Sequence, residues 1–151
     1  MAATTEKYIF GAEATQIAGV ALANAQNALG PVYNNVQGGG GGDGYPYARL
    51  KFIQTFTVAA AVNTALLCWF LKSSDVNLTY EDGATGAGYT PIRDPDFTIR
   101  AIPETGQART IEKDVLLPAN FLKLLVRNPV ETGQALTALT VTLTPFTKQS
   151  V

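Results

Sequence analysis

Histidine is absent from this chain, and with it the commonest general base at neutral pH and the commonest metal ligand. Neither a Ser-His-Asp nor a Cys-His catalytic arrangement can be assembled. Cysteine occurs once, so no intrachain disulfide forms. That lone thiol, Cys68, lies in the apolar run Ala65-Leu66-Leu67-Cys68-Trp69-Phe70-Leu71 and is expected to be buried and inert. Charge is also scarce: 15% of residues are charged, against roughly 25% in an average soluble domain, and the net charge is −1. The few basic residues are scattered, so the clustered Lys and Arg that phosphate binding requires are missing. No run of about 20 apolar residues exists to span a membrane. The first residues, Met1-Ala2-Ala3-Thr4-Thr5-Glu6-Lys7, lack the pattern of a secretory signal. The expectation is a non-enzymatic protein without cofactor or metal, binding neither nucleic acid nor membrane.

What is present is material for one core. At 151 residues, 46% of them apolar, the chain has the size and composition of a single globular domain. Thr, Asn, Gln, Gly and Ala must fill a weakly charged surface, which suits a plain neutral protein and equally one covered by partners. Residues 1–30 are Ala-, Thr- and Asn-rich and read as an N-terminal arm or a first strand. Within them Ala12 to Leu29 fits neither the helical nor the strand period, and a loosely packed strand is preferred. Gly30-Pro31 marks a turn, and residues 31–151 read as one β-sandwich domain.

The clearest strand runs from Tyr47 to Val58, where Leu50, Phe52, Gln54, Phe56 and Val58 share one face and Lys51, Ile53, Thr55 and Thr57 the other. Ala65 to Lys72 suits a strand buried on both sides, or one with its outer face against a partner, and periodicity alone does not separate either from a helix over 58–72. Further strands are expected at Val32–Val36, around Tyr80 or Tyr89, and at Phe97–Ile102, Ala108–Leu117, Phe121–Arg127 and Leu139–Phe146. In the last of these Leu139, Val141 and Leu143 oppose Thr140, Thr142, Thr144 and Phe146. About eight short strands with turn signals between them predict an all-β, antiparallel sandwich or barrel.

The remaining chemistry is thin. Gly38 to Gly42 lack the Lys and Ser or Thr of a phosphate loop and read as a flexible connection. Glu81-Asp82 and Asp94-Pro95-Asp96 lie where turns call for Asp, and no calcium-loop spacing accompanies them. Phe52, Phe56, Trp69 and Phe70 are assigned to the core. Tyr8 and Phe10 on the N-terminal segment, Tyr45 and Tyr47 beside the glycines, and Tyr80 and Tyr89 in the turn-rich excursion are the candidate partner contacts.

Two blocks carry a resemblance: Gln54-Thr55-Phe56-Thr57 followed by Leu66-Leu67-Cys68-Trp69-Phe70-Leu71-Lys72-Ser73-Ser74-Asp75, and Val115-Leu116-Leu117-Pro118-Ala119-Asn120-Phe121-Leu122-Lys123-Leu124-Leu125-Val126-Arg127-Asn128. With a final Thr-rich strand at Ala138–Thr144, the layout of residues 46–147 resembles the head decoration, or cement, proteins of tailed bacteriophages. The resemblance implies a jelly-roll-like sandwich that is made in the host cytoplasm and sits on the capsid surface of the virion. Its implied partners are the major capsid protein and copies of itself as a homo-oligomer on the particle, and it carries no catalytic residues. A tail or baseplate component, or a carbohydrate-binding sandwich using Tyr45, Tyr47, Tyr80 or Tyr89, are the alternatives.

Overall fold

A computed structural model describes residues 5–36, 44–73 and 88–150. Within them the chain is all β, with strands β1 (Glu6–Phe10), β2 (Ala14–Leu22), β3 (Asn27–Leu29), β4 (Tyr33–Asn34), β5 (Tyr47–Phe56), β6 (Ala65–Ser73), β7 (Phe97–Arg100), β8 (Arg109–Leu116), β9 (Phe121–Arg127) and β10 (Leu136–Ser150). All pairings are antiparallel and fall into two sheets.

The first sheet runs β1-β10-β5-β8, with β2 also on β10. β2 pairs with residues 136–143 of β10 and β1 with residues 146–150, so the two share one edge of that long strand. The second sheet runs β3-β9-β6-β7, and β4 shares the β3 edge of β9. Counting β1/β2 and β3/β4 as single positions leaves eight, paired first with last, second with seventh, third with sixth and fourth with fifth. Two four-position sheets wound this way form a jelly roll.

Alternation explains the core. Along β5 the residues Ala48, Leu50, Phe52, Gln54 and Phe56 are all 0% exposed, while their neighbours are half-buried. They meet Leu139, Val141 and Leu143 of β10, and Leu66, Phe70, Leu124 and Val126 of the opposite sheet. Gln54 is the polar exception noted in the sequence; its Nε2 donates to the Arg100 carbonyl at 3.0 Å and so links β5 to the end of β7.

The helix alternative for 58–72 does not occur. β6 is a strand paired on both edges, and it is buried on both faces, as its Trp and Phe suggested. Leu66, Cys68 and Phe70 point into the main core, whereas Trp69 and Leu71 form a second cluster with Leu125 on the outer face. Residues 88–96 cover that cluster: Tyr89 packs on it, and Trp69 Nε1 donates to the Arg93 carbonyl at 3.1 Å. Asp96 accepts the backbone N–H of Phe70 at 2.7 Å and holds Arg93 at 2.7 Å. A carboxylate thus takes over from the ladder beyond the Cys68–Phe97 pair.

Residues 6–29 supply strands to both sheets. The mixed periodicity of Ala12–Leu29 has a physical cause: the β2–β10 register shifts three times, and Gly19 sits at φ 59 with its N–H on Thr140 Oγ1. Gly30 is required for a close approach, since a Cβ there would meet the Gln16 carbonyl oxygen at 2.7 Å. Tyr89 lies outside any strand. The glycine run, Tyr80 and Glu81-Asp82 lie outside the described residues.

Candidate functional site

The outward face of the first sheet carries an aromatic plate. Register sets it: Phe10 of β1, Phe146 of β10, Tyr47 of β5 and Leu116 of β8 stand side by side across the sheet. Tyr8 joins them two residues along β1 on the same face. Phe146 is the centre. It points away from the sandwich core yet is 0% exposed, because Tyr8, Phe10 and Tyr47 lie around it with ring centroids at 5.5, 5.4 and 5.4 Å. Two of the rings that enclose it meet solvent, Tyr8 at 40% exposed and Phe10 at 45%, and Leu116 at the end of the row is 74% exposed.

Two cations are held against this plate. Arg49 stands directly across from Asp114 and makes a two-pronged bond to it, Nε to Oδ1 at 2.8 Å and Nη2 to Oδ2 at 3.0 Å. Its guanidinium lies 5.2 Å from the centre of the Phe10 ring and 5.9 Å from that of Phe146. The hydrogen bond to Arg49 holds the Asp114 carboxyl below the usual carboxylate range, and the same bond raises Arg49. Lys148, opposite Tyr8, lies between two tyrosine rings, 5.5 Å from Tyr8 and 5.3 Å from Tyr47.

The structure therefore brings three of the expected partner contacts together: Tyr8, Phe10 and Tyr47. It does not add the others. Tyr45 packs on the main core beneath Gly11, Tyr89 packs on the Trp69 cluster, and Tyr80 lies outside the described residues. Sequence reading missed Phe146, Arg49, Lys148 and Leu116. One signal existed: alternation already placed Phe146 opposite the Leu139-Val141-Leu143 face, leaving a phenylalanine at the end of a threonine row.

Tyr45 has a local role. Asn35, wholly buried, accepts the Tyr45 N–H at 2.8 Å and donates to the Tyr45 and Pro118 carbonyls at 2.8 and 2.9 Å. Those bonds hold the two ends of the 36–44 connection together. Cys68 is wholly buried, and burial pushes its thiol far above the usual range. Among the described residues no three His, Cys, Asp or Glu side chains come together as a metal site would need, and no helix is long and apolar enough to cross a membrane. Family models, curated proteins and solved structures give no match to this chain.

Proposed function

We propose that this chain is a structural virion protein that binds a tailed-phage capsid lattice and stabilises it as a cement or decoration protein. The observation that carries this reading is the aromatic plate: exposed Tyr8 and Phe10 packed around buried Phe146, with exposed Leu116 at the end of the row and Arg49 and Lys148 against the rings, on the outward face of a jelly-roll sheet. Tyr and Arg are the side chains that most often dominate protein contacts, and an aromatic surface already ordered by its own packing loses little entropy on binding. The low overall charge, 15%, fits a surface that partners cover. Antiparallel pairing of every strand among the described residues favours a rigid module over one that moves.

The plate suits a protein partner better than a sugar. Stacked sugars need open ring faces, and here Arg49 lies over Phe10 and Lys148 over Tyr8 and Tyr47. The test is co-sedimentation with virus-sized particles from the native source, comparing the natural chain with the pair Tyr8→Ser and Phe10→Ser. The natural chain should pellet with particles and the double variant should remain soluble. Equal pelleting of the two, or a natural chain found in the soluble fraction alone, would overturn the reading. Recovery with tails and not with heads would assign the same plate to a tail or baseplate component.

A further inference from the structure

A second surface lies on the open side of the sandwich. β8 pairs with β5 along one edge, and among the described residues nothing pairs with its other edge. β7 is the corresponding edge of the second sheet, and Lys113 Nζ of β8 reaches across to the Thr98 carbonyl of β7 at 3.1 Å. Between the two edges is a cleft of about 570 Å³ walled by Phe70, Phe97, Val115, Leu116 and Pro118, with Asp96 and Lys113 among its polar residues. Leu116 belongs both to this cleft and to the row of the aromatic plate, so the two apolar surfaces meet at one residue.

Resting on the protein-assembly reading above, we propose that the free edge of β8 and this cleft receive an extended segment of a partner protein. The segment joins the first sheet as one more strand, with apolar side chains entering the cleft and basic side chains standing beside Glu112. An open strand edge offers main-chain hydrogen bonds, and pockets at every second residue give such additions their selectivity. Here β8 sends Ile111, Lys113 and Val115 inward and Thr110, Glu112, Asp114 and Leu116 outward, so Lys113 and Val115 meet the cleft from the inner face while Glu112 and Asp114 stand on the outer one.

Charge selects the occupant. On the β5 side each carboxylate faces a cation, Arg49 opposite Asp114 and Lys51 opposite Glu112. On the open side no described strand supplies one, so a Lys or Arg there would continue a cation–anion–cation row. A second copy of this chain fits poorly. One of the two fullest antiparallel overlaps of β8 with itself sets Glu112 against Glu112; the other sets Glu112 against Asp114 and Lys113 against Lys113. Like charges directly opposite one another destabilise a strand pair.

The experiment titrates the full chain with a short synthetic peptide alternating valine and lysine, and with a control alternating valine and glutamate, while following backbone amide resonances. The basic peptide should shift residues 96–98 and 109–118 and bind more tightly than the acidic one. Glu112→Lys, on an exposed side chain, should reverse that order, each change being about threefold to tenfold. Val115→Asp should abolish the shifts while the rest of its spectrum reports an intact fold. No binding at millimolar peptide, shifts centred on Tyr8, Phe10 and Tyr47, an unchanged order in the Glu112→Lys variant, or a β8-mediated dimer would each overturn the proposal. No particle enters this experiment, so its failure is separable from failure of the capsid reading, which sedimentation tests alone.

Discussion

Replacing Phe146 with alanine should cost about 3 kcal/mol of stability, although the side chain lies on the outward face of a sheet. An outward aromatic is ordinarily half-wet and contributes little more than half its transfer energy. Phe146 is instead 0% exposed, with three ring centroids within 5.5 Å. Its removal therefore opens a cavity as it would inside a core, where phenylalanine truncations cost about 3–5 kcal/mol. The lower figure applies because β1, which carries two of the surrounding rings, is an edge strand and can settle inward. Phe10→Ala provides the comparison. Phe10 is 45% exposed, so it loses about half of a phenylalanine's burial energy, about 1 kcal/mol, and about 0.5–1 kcal/mol more for its ring contact with Phe146. Urea denaturation measures both. With a slope of about 2 kcal/mol/M, Phe146→Ala should lower the midpoint by about 1.5 M and Phe10→Ala by about half as much. A Phe146→Ala cost under about 1 kcal/mol, or one equal to that of Phe10→Ala, would refute the claim that the rings form a closed cluster.

Two further outcomes follow from buried polar groups and from titration. Asn128→Ala should cost about 3 kcal/mol in the same denaturation assay, because Asn128 is wholly buried, its amide faces the Leu22, Ala23 and Gln134 carbonyls, and its Oδ1 accepts the Thr132 hydroxyl. Stability should be flat between about pH 6 and 8, where a histidine would titrate and this chain has none. The Asp114 carboxyl is depressed in the fold, so its contribution is complete above the ordinary carboxylate range and is lost as pH falls through its lowered value. That loss should stay under about 1 kcal/mol, since the Arg49 and Asp114 side chains are 37% and 43% exposed. Thermal melts from neutral pH down through the carboxylate range check both parts, and a transition near neutrality would contradict them.

Individual strands were legible wherever one face was uniformly apolar. β5 follows its predicted alternation from Tyr47 to Phe56 but ends there, so Val58, expected on the apolar face, is 53% exposed; β10 divides its faces as expected. Segments with no clean period were legible only as ambiguity. β2 reads as neither helix nor strand because bulges move its side chains out of step with any fixed repeat. Residues 65–72 stayed ambiguous because a strand buried on both faces has no polar side to reveal its period.

The sequence by itself pointed to an antiparallel all-β fold and excluded histidine-based chemistry, because alternation and composition are local properties. Only the tertiary structure decided which strands are neighbours, and so where the site lies. Tyr8, Phe10, Tyr47, Arg49, Leu116 and Phe146 come from β1, β5, β8 and β10, separated by up to 138 positions in the chain (146 − 8). They meet because jelly-roll winding sets the first strand position beside the last and register aligns their outward side chains. No local pattern encodes that pairing, which depends on burying both sheet faces at once.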